Sequence, residues 1–280
     1  MRRLIILITA ILILSSSSPK GEVLDNSQKL YATAKVWGFL KYYHPNVAKG
    51  KFDWDNQLLE ILSSVEKVST KEELSEIYLR WIESLGKVKP CKSCNTEDTA
   101  DLFNKNFDLS WIDNEQLFSN QLSASLRYIE QNRFYGKHHY VDLKGKPSTL
   151  HLTNEKEYRN FDWTNQSLRL LSLFRYWNVI EYFYPHKYQI DTDWDSVFFQ
   201  MVPKFKSTSS ETDYHLAMLE LVVMLDDSHG YFSTDLINQF FGTKQIPAAF
   251  SIIEDQLIIT RLYDDSLANL NDIRVGDIIT

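Results

Sequence analysis

One constraint dominates the chain: a pattern of rare residues occurs twice at a fixed spacing. Trp37-(x4)-Tyr42-(x2)-Pro45-(x7)-Asp53-Trp54-Asp55 returns as Trp177-(x4)-Tyr182-(x2)-Pro185-(x7)-Asp193-Trp194-Asp195, 140 residues later and without a gap. The match continues through Ser69 and Ser209, Leu79 and Leu219, and Leu85 and Leu225. Tryptophan and proline coincide seldom by chance, so the pattern predicts a duplicated helical module. Two copies do not make a solenoid, which needs about three stacked units.

Each copy reads as three helices. Leu30, Ala34, Trp37 and Leu40 fall at helical spacing between Ser27 and His44, and the His44-Pro45 step ends that helix because the residue before a proline is pushed out of the α region. Asp53 and Asp193 suit the start of a second helix, where a carboxylate accepts free backbone N–H groups. Thr70-Lys71-Glu72-Glu73 has the form of a capping box and opens a third, with Ser210 and Asp213 in its place in the second copy. Packing and capping suffice to explain the shared Trp and Asp residues.

Between the copies, Gly86 to Asn106 is polar and reads as a loop. Asn114 to Gln131 predicts a helix with Leu117, Leu122, Leu126 and Ile129 inward, and Tyr135 to Thr153 a short hairpin. His138 and His139 lie side by side on that extended stretch and point to opposite faces, so surface histidines are expected rather than a metal pair. After Phe232, Ala248 to Ile253 and Gln256 to Leu262 read as two strands of a hairpin turning at Glu254-Asp255. Ile273 to Thr280 ends within a strand-like run, which predicts an incomplete β segment.

With 44% hydrophobic residues the chain has ample material for ordinary cores, and its net charge of −7 without a dense Lys/Arg block argues against nucleic acid as a partner. Met1-Arg2-Arg3, the apolar run Leu4 to Leu14 and the serines Ser15 to Ser18 have the order of a signal peptide. Eleven apolar residues are too few for a stable membrane anchor. Export to a periplasm or beyond is therefore expected, with no membrane anchor after cleavage. In that compartment Cys91 and Cys94 are expected to form a local disulfide; a zinc site would need two more ligands, and a redox pair a βαβ context. No metal or cofactor is expected. Nothing in the sequence sets the oligomeric state.

The one place for a catalytic group is Leu225-Asp226-Asp227-Ser228-His229-Gly230, just after the last helix of the second copy. A histidine on a loop is a candidate general base. Ser228 is a poor nucleophile for it, because adjacent side chains diverge. The alternative is that Asp226 or Asp227 and His229 hydrogen-bond the end of the helix.

Arg175-Tyr176-Trp177-Asn178-Val179-Ile180-Glu181-Tyr182-Phe183-Tyr184-Pro185, Trp194-Asp195, Asp226-Asp227-Ser228-His229-Gly230 and Ile273-Arg274-Val275-Gly276-Asp277-Ile278-Ile279 together resemble the N-terminal part of secreted C-terminal-processing serine peptidases, the family of tail-specific proteases and the tricorn core. The resemblance covers Leu168 to Thr280 and implies a helical domain, a PDZ domain that captures polypeptide chain ends, and an α/β core bearing the serine. It implies as base either a lysine outside the residues present here, as in the tail-specific branch, or His229 with Ser228 as its neighbour, as in the tricorn branch, and a nucleophile outside the residues present here. The expected organisation is mainly α: signal peptide 1–18, first helical copy 24–87, linker with loop disulfide, helix and hairpin 88–160, second copy 161–237, and the start of a truncated PDZ-like domain 245–280. The resemblance implies that the parent hydrolyses extended peptides or protein C-termini, while this chain alone is inactive. A competing reading is a secreted helical binding module whose Trp37, Trp54, Trp177 and Trp194 stack on a glycan or dock a protein.

Overall fold

A computed structural model describes residues 23–91, 94, 108–144 and 149–279. The expected signal peptide and the turn of the central hairpin lie outside the described residues. The chain is mainly α and divides into two compact units, residues 1–231 and 232–280.

The first unit contains α1 (Asn26–Tyr43), the single turn α2 (Pro45–Ala48), α3 (Trp54–Val65), α4 (Lys71–Ser84) and α5 (Asn120–Gln131). The antiparallel hairpin β1 (Val141–Lys144) and β2 (Thr149–Leu152) follows, then α6 (Gln166–Phe183), α7 (Trp194–Lys206) and α8 (Glu211–Val223). Subtracting the first residues of α1, α3 and α4 from those of α6, α7 and α8 gives 140 in each case. The starts are set locally. Asp53 and Asp193 accept the amides of Asn56 at 3.0 Å and Ser196 at 2.9 Å, while Thr70 and Ser210 accept those of Glu73 and Asp213.

The indoles repeat one another as well. Trp37 Nε1 donates to the carbonyl of Trp54 at 3.1 Å and Trp54 Nε1 to that of Trp37 at 3.2 Å. Trp177 and Trp194 exchange the same two bonds at 2.9 and 3.1 Å. A buried indole N–H left unpaired is costly, so each pair locks the first helix of its segment to the second while filling the core.

α1 is buried nearly all round, as a helix at the centre of a bundle must be. It crosses α6 at Gly38. A Cβ there would fall 1.7 Å from Asn178 Oδ1, and the Asn178 amide donates to the carbonyl of Phe174 in its own helix at 2.9 Å and across the crossing to that of Ala34 at 3.2 Å. Ala34 and Phe174 are themselves 140 residues apart. At the far end of the crossing Tyr42 meets Tyr182 and Phe183, with ring centres 4.9 and 4.8 Å apart. Two ion pairs tie α1 to α7 and α3 to α6: Lys35 Nζ lies 2.7 Å from Asp195 Oδ1, and Arg175 holds both oxygens of Asp55.

Two expectations need correction. The helix predicted from Asn114 starts at Asn120, capped by Ser119, because Ser110–Asp113 forms a separate 3₁₀ turn; Leu117 is buried ahead of the helix. His138 and His139 are half-buried rather than on the surface, and they precede the strand. The His138 ring packs edge-on against Phe134, and His139 sits over Gly50, where a Cβ would come within 2.3 Å of the ring.

The second unit holds α9 (Asp235–Phe241), an antiparallel sheet of β3 (Ala248–Ile253), β4 (Gln256–Leu262) and β5 (Ile278–Ile279) in that order, and α10 (Asp265–Leu270). Glu254 and Asp255 have φ of 51° and 61°, the paired positive values that let a two-residue turn follow the twist of its strands. The sequence reading assigned no helix to α9, whose signal is the Thr234 cap on the Ile237 amide.

His44 ends α1 and begins α2. Its Nδ1 accepts the Asn46 amide at 3.3 Å, and its Nε2 faces the Gly86 backbone without a well-formed hydrogen bond. Burial pushes its pKa down to about 4 from 6.5. The neutral ring therefore contributes fully above pH 6.5, and the contribution is lost as pH falls toward 4, by on the order of 3 kcal/mol. The urea midpoint of H44N, which keeps an acceptor for the cap, should fall less between pH 7 and pH 4.5 than that of the wild type. At the crossing, G38A should cost about 1–3 kcal/mol through overpacking. The exchange G38N with N178G should recover most of this, since one amide again spans the two helices; chemical denaturation measures both.

Candidate functional site

α8 ends at Val223, and Asp226 then takes the left-handed conformation, φ 52°, that turns the chain away from the helix axis. The next residues close a tight turn in which Gly230 N donates to the carbonyl of Asp227 at 2.8 Å. Gly230 is needed there for space: a Cβ would lie 3.0 Å from that carbonyl oxygen and 3.3 Å from Val222 Cγ1.

Within the turn Asp227 Oδ1 accepts the His229 amide at 2.8 Å and lies 2.9 Å from His229 Nδ1. Its other oxygen accepts the hydroxyl of Tyr184, just past the end of α6, at 3.2 Å. The His229 amide, its imidazole and the Tyr184 hydroxyl together hold the Asp227 carboxyl below the usual range. Burial, then the Asp227 carboxylate, pushes the Tyr184 phenol up. The carboxylate is thus held ionised and oriented at both oxygens.

An ionised acceptor on Nδ1 fixes the neutral imidazole with its proton on that nitrogen and leaves the Nε2 lone pair open. The His229 side chain is 92% exposed while that of Asp227 is 24% exposed, so the orienting group is sheltered and the basic one faces outward. Such a pair can take a proton from a group brought to Nε2 and return it.

Of the residues singled out in the sequence, His229 is the one whose ring is held by a carboxylate and exposed to solvent. Ser228 is not brought to it: the imidazole's ring bond goes to Asp227. The alternative, in which Asp226 or Asp227 and His229 hydrogen-bond the end of a helix, also stands, because Asp227 accepts from Tyr184, the C-cap residue of α6. Asp226 accepts the amide of Asp191 at 3.0 Å and Asp227 the Tyr184 hydroxyl, so both carboxylates bind the segment after α6. Sequence reasoning missed Tyr184, and it missed Asp227 as the specific partner; the i, i+2 spacing of Asp227 and His229 was the available signal, because an Asp bonds the backbone two residues on.

Cys91 and Cys94 are joined by a disulfide, away from this turn in sequence, with the Cys91 amide donating to Asn132 Oδ1 at 2.8 Å. Trp37, Trp54, Trp177 and Trp194 are 0%, 2%, 0% and 4% exposed, which removes them as stacking platforms for a glycan.

A fixed Nδ1 partner has a direct spectroscopic consequence. At pH 8 long-range ¹H–¹⁵N correlation should show His229 as the Nδ1–H tautomer, and D227N should shift it toward Nε2–H; an Nε2–H wild type would remove the base assignment.

Set against models of known protein families, curated proteins and solved structures, the chain finds no match.

Proposed function

We propose that this chain is the base-bearing N-terminal part of a secreted serine endopeptidase that processes extended peptides or protein C-termini. The observation that carries the reading is the Asp227–His229 pair, with Nδ1 held at 2.9 Å and Nε2 open to solvent. In this role His229 accepts the proton of a serine hydroxyl as its oxygen attacks the scissile carbonyl, and then delivers it to the leaving amine. Asp227 keeps the imidazole in the required tautomer, and Tyr184 positions Asp227. None of the 280 residues is assigned as the nucleophile: no G-x-S-x-G pattern occurs, and the S-x-x-K spacings at Ser17, Ser64 and Ser84 lie far along the chain from His229.

The same proposal takes the two helical segments as copies of one module. Support comes from helix starts offset by 140, from indole pairs bonded alike and from ion pairs exchanged crosswise between the segments. It takes the last segment as PDZ-like, supported by the hairpin β3–β4 with β5 added beside β4. Polypeptide recognition by such a sheet proceeds through strand addition. Export fits the disulfide.

A fluorophosphonate probe tests the absence of a nucleophile. The purified chain should remain unlabelled while trypsin in the same tube is labelled. Covalent modification of any serine of this chain would overturn that part of the proposal.

A further inference from the structure

Behind the crosswise ion pairs lie two cavities at equivalent positions, and among the described residues only the smaller is filled by a segment of the chain. The smaller, about 140 Å³, is walled by Asp53, Trp54, Asp55 and Arg175. The larger, about 640 Å³, is walled by the residues 140 positions away from each of these: Asp193, Trp194, Asp195 and Lys35.

The segment Asn154–Lys156 occupies the smaller site. Lys156 Nζ lies 3.3 Å from Asp53 Oδ2, and its carbonyl accepts from Arg175 at 3.0 Å. Glu155 reaches inward to the buried Lys41 at 2.5 Å and to Arg175 at 3.5 Å. A lysine on the rim aspartate and an acid on the inner cation are thus what this wall accepts from a peptide.

The larger site keeps half of that recognition and inverts the rest. Asp193 corresponds to Asp53, yet among the described residues its carboxylate meets only Ser196 and no cation. Glu181 corresponds to Lys41, so the inner position is an acid, already paired with Lys187 at 2.6 Å and Lys35 at 3.0 Å. The wall carries four carboxylates, Asp108, Glu181, Asp193 and Asp195, against two ammonium groups, Lys35 and Lys187. Trp111 and Tyr188 add aromatic surface suited to an aliphatic stem and its ammonium head.

We propose that the larger cavity binds a polypeptide through a lysine side chain, whose ammonium pairs with Asp193, and that it disfavours an acidic residue just before that lysine. The inference rests on the equivalence of the two helical segments and is independent of the assignment of His229.

Calorimetric titration of the whole chain at low ionic strength, where surface attraction is least screened, tests it with three peptides. Acetyl-Ala-Lys-Ala-amide should bind saturably. Acetyl-Ala-norleucine-Ala-amide and acetyl-Glu-Lys-Ala-amide should bind at least about tenfold more weakly. D193N, which keeps a capping oxygen for α7, should weaken the first peptide about tenfold, whereas D53N should leave it unchanged. Equal affinity for the norleucine peptide, no saturable binding of the lysine peptide, or an unchanged affinity in folded D193N would overturn the proposal. Tighter binding of 1,5-diaminopentane than of the peptide would overturn its polypeptide part. The peptide arms use the unaltered chain and decide the matter even if D193N does not fold. Failure of binding while the G38N/N178G exchange stays folded would sink this inference and leave the equivalence of the segments standing.

Discussion

The first unit depends on the close crossing of α1 and α6, which exists because one helix has no side chain where the other has an amide. Gly38 lets Asn178 reach the backbone of both helices, and the amide bonds carbonyls of corresponding residues. Helices ordinarily approach to about 8–10 Å, set by the side chains at the contact. A glycine opposite a hydrogen-bonding side chain fixes register along the crossing as well as distance, since a slip of one turn would drive Asn178 against a side chain. The indole pairs then hang α3 on α1 and α7 on α6, so that placing the crossing places four helices.

The crosswise ion pairs are better understood as register devices than as stabilisers. Lys35 is 3% exposed and Asp55 is 4% exposed, and removing such charges from water costs several kcal/mol, which their attraction only about repays. Burial alone would lower the Lys35 pKa, but the Glu181 and Asp195 carboxylates outweigh it and hold the ammonium charged. A helix arrangement that separated Lys35 from both Asp195 and Glu181, or Asp55 from Arg175, would strand a charge in the core. Each pair thereby penalises alternatives more than it favours the native packing. Lys41 has the weaker compensation: burial, only partly offset by Glu155, lowers its pKa.

What the sequence made legible is what short-range chemistry decides. The helix starts follow from Asp53, Thr70, Asp193 and Ser210, and the turn of β3 and β4 falls at Glu254-Asp255 because the strands on either side are rich in Ile, Leu and Phe. The repeat also showed which residues correspond, yet not which of them touch. Lys35 and Arg175 align with each other, and their partners Asp195 and Asp55 align too, but the pairs cross between segments. Only the packing of α1 beside α6 turns correspondence into contact. His138 and His139 were misplaced for a related reason: their burial comes from Phe134 and Gly50, neither of which strand alternation can foresee. At the candidate site the sequence indicated the histidine, while Tyr184, which reaches Asp227 across 43 residues, had no local signature.

The departures from equivalence say more about function than the agreement does. Where packing alone matters, corresponding positions keep the same residue, as Trp37 with Trp177 and Trp54 with Trp194. The position behind the two cavities instead reverses sign, Lys41 against Glu181, and the counter-ions differ: Glu155 for the one, Lys187 together with Lys35 for the other. A charge reversal inside a core is tolerated only when a partner changes with it, because either substitution alone leaves a buried charge unpaired. The smaller cavity is closed by the segment that supplies its counter-ion. In the larger one Lys187 reaches Glu181 from six residues along the same stretch of chain, so neutralising the acid does not require a peptide to cross the opening. Among the described residues, that difference in the connecting segments, rather than any difference in the helices, separates the closed smaller cavity from the larger one.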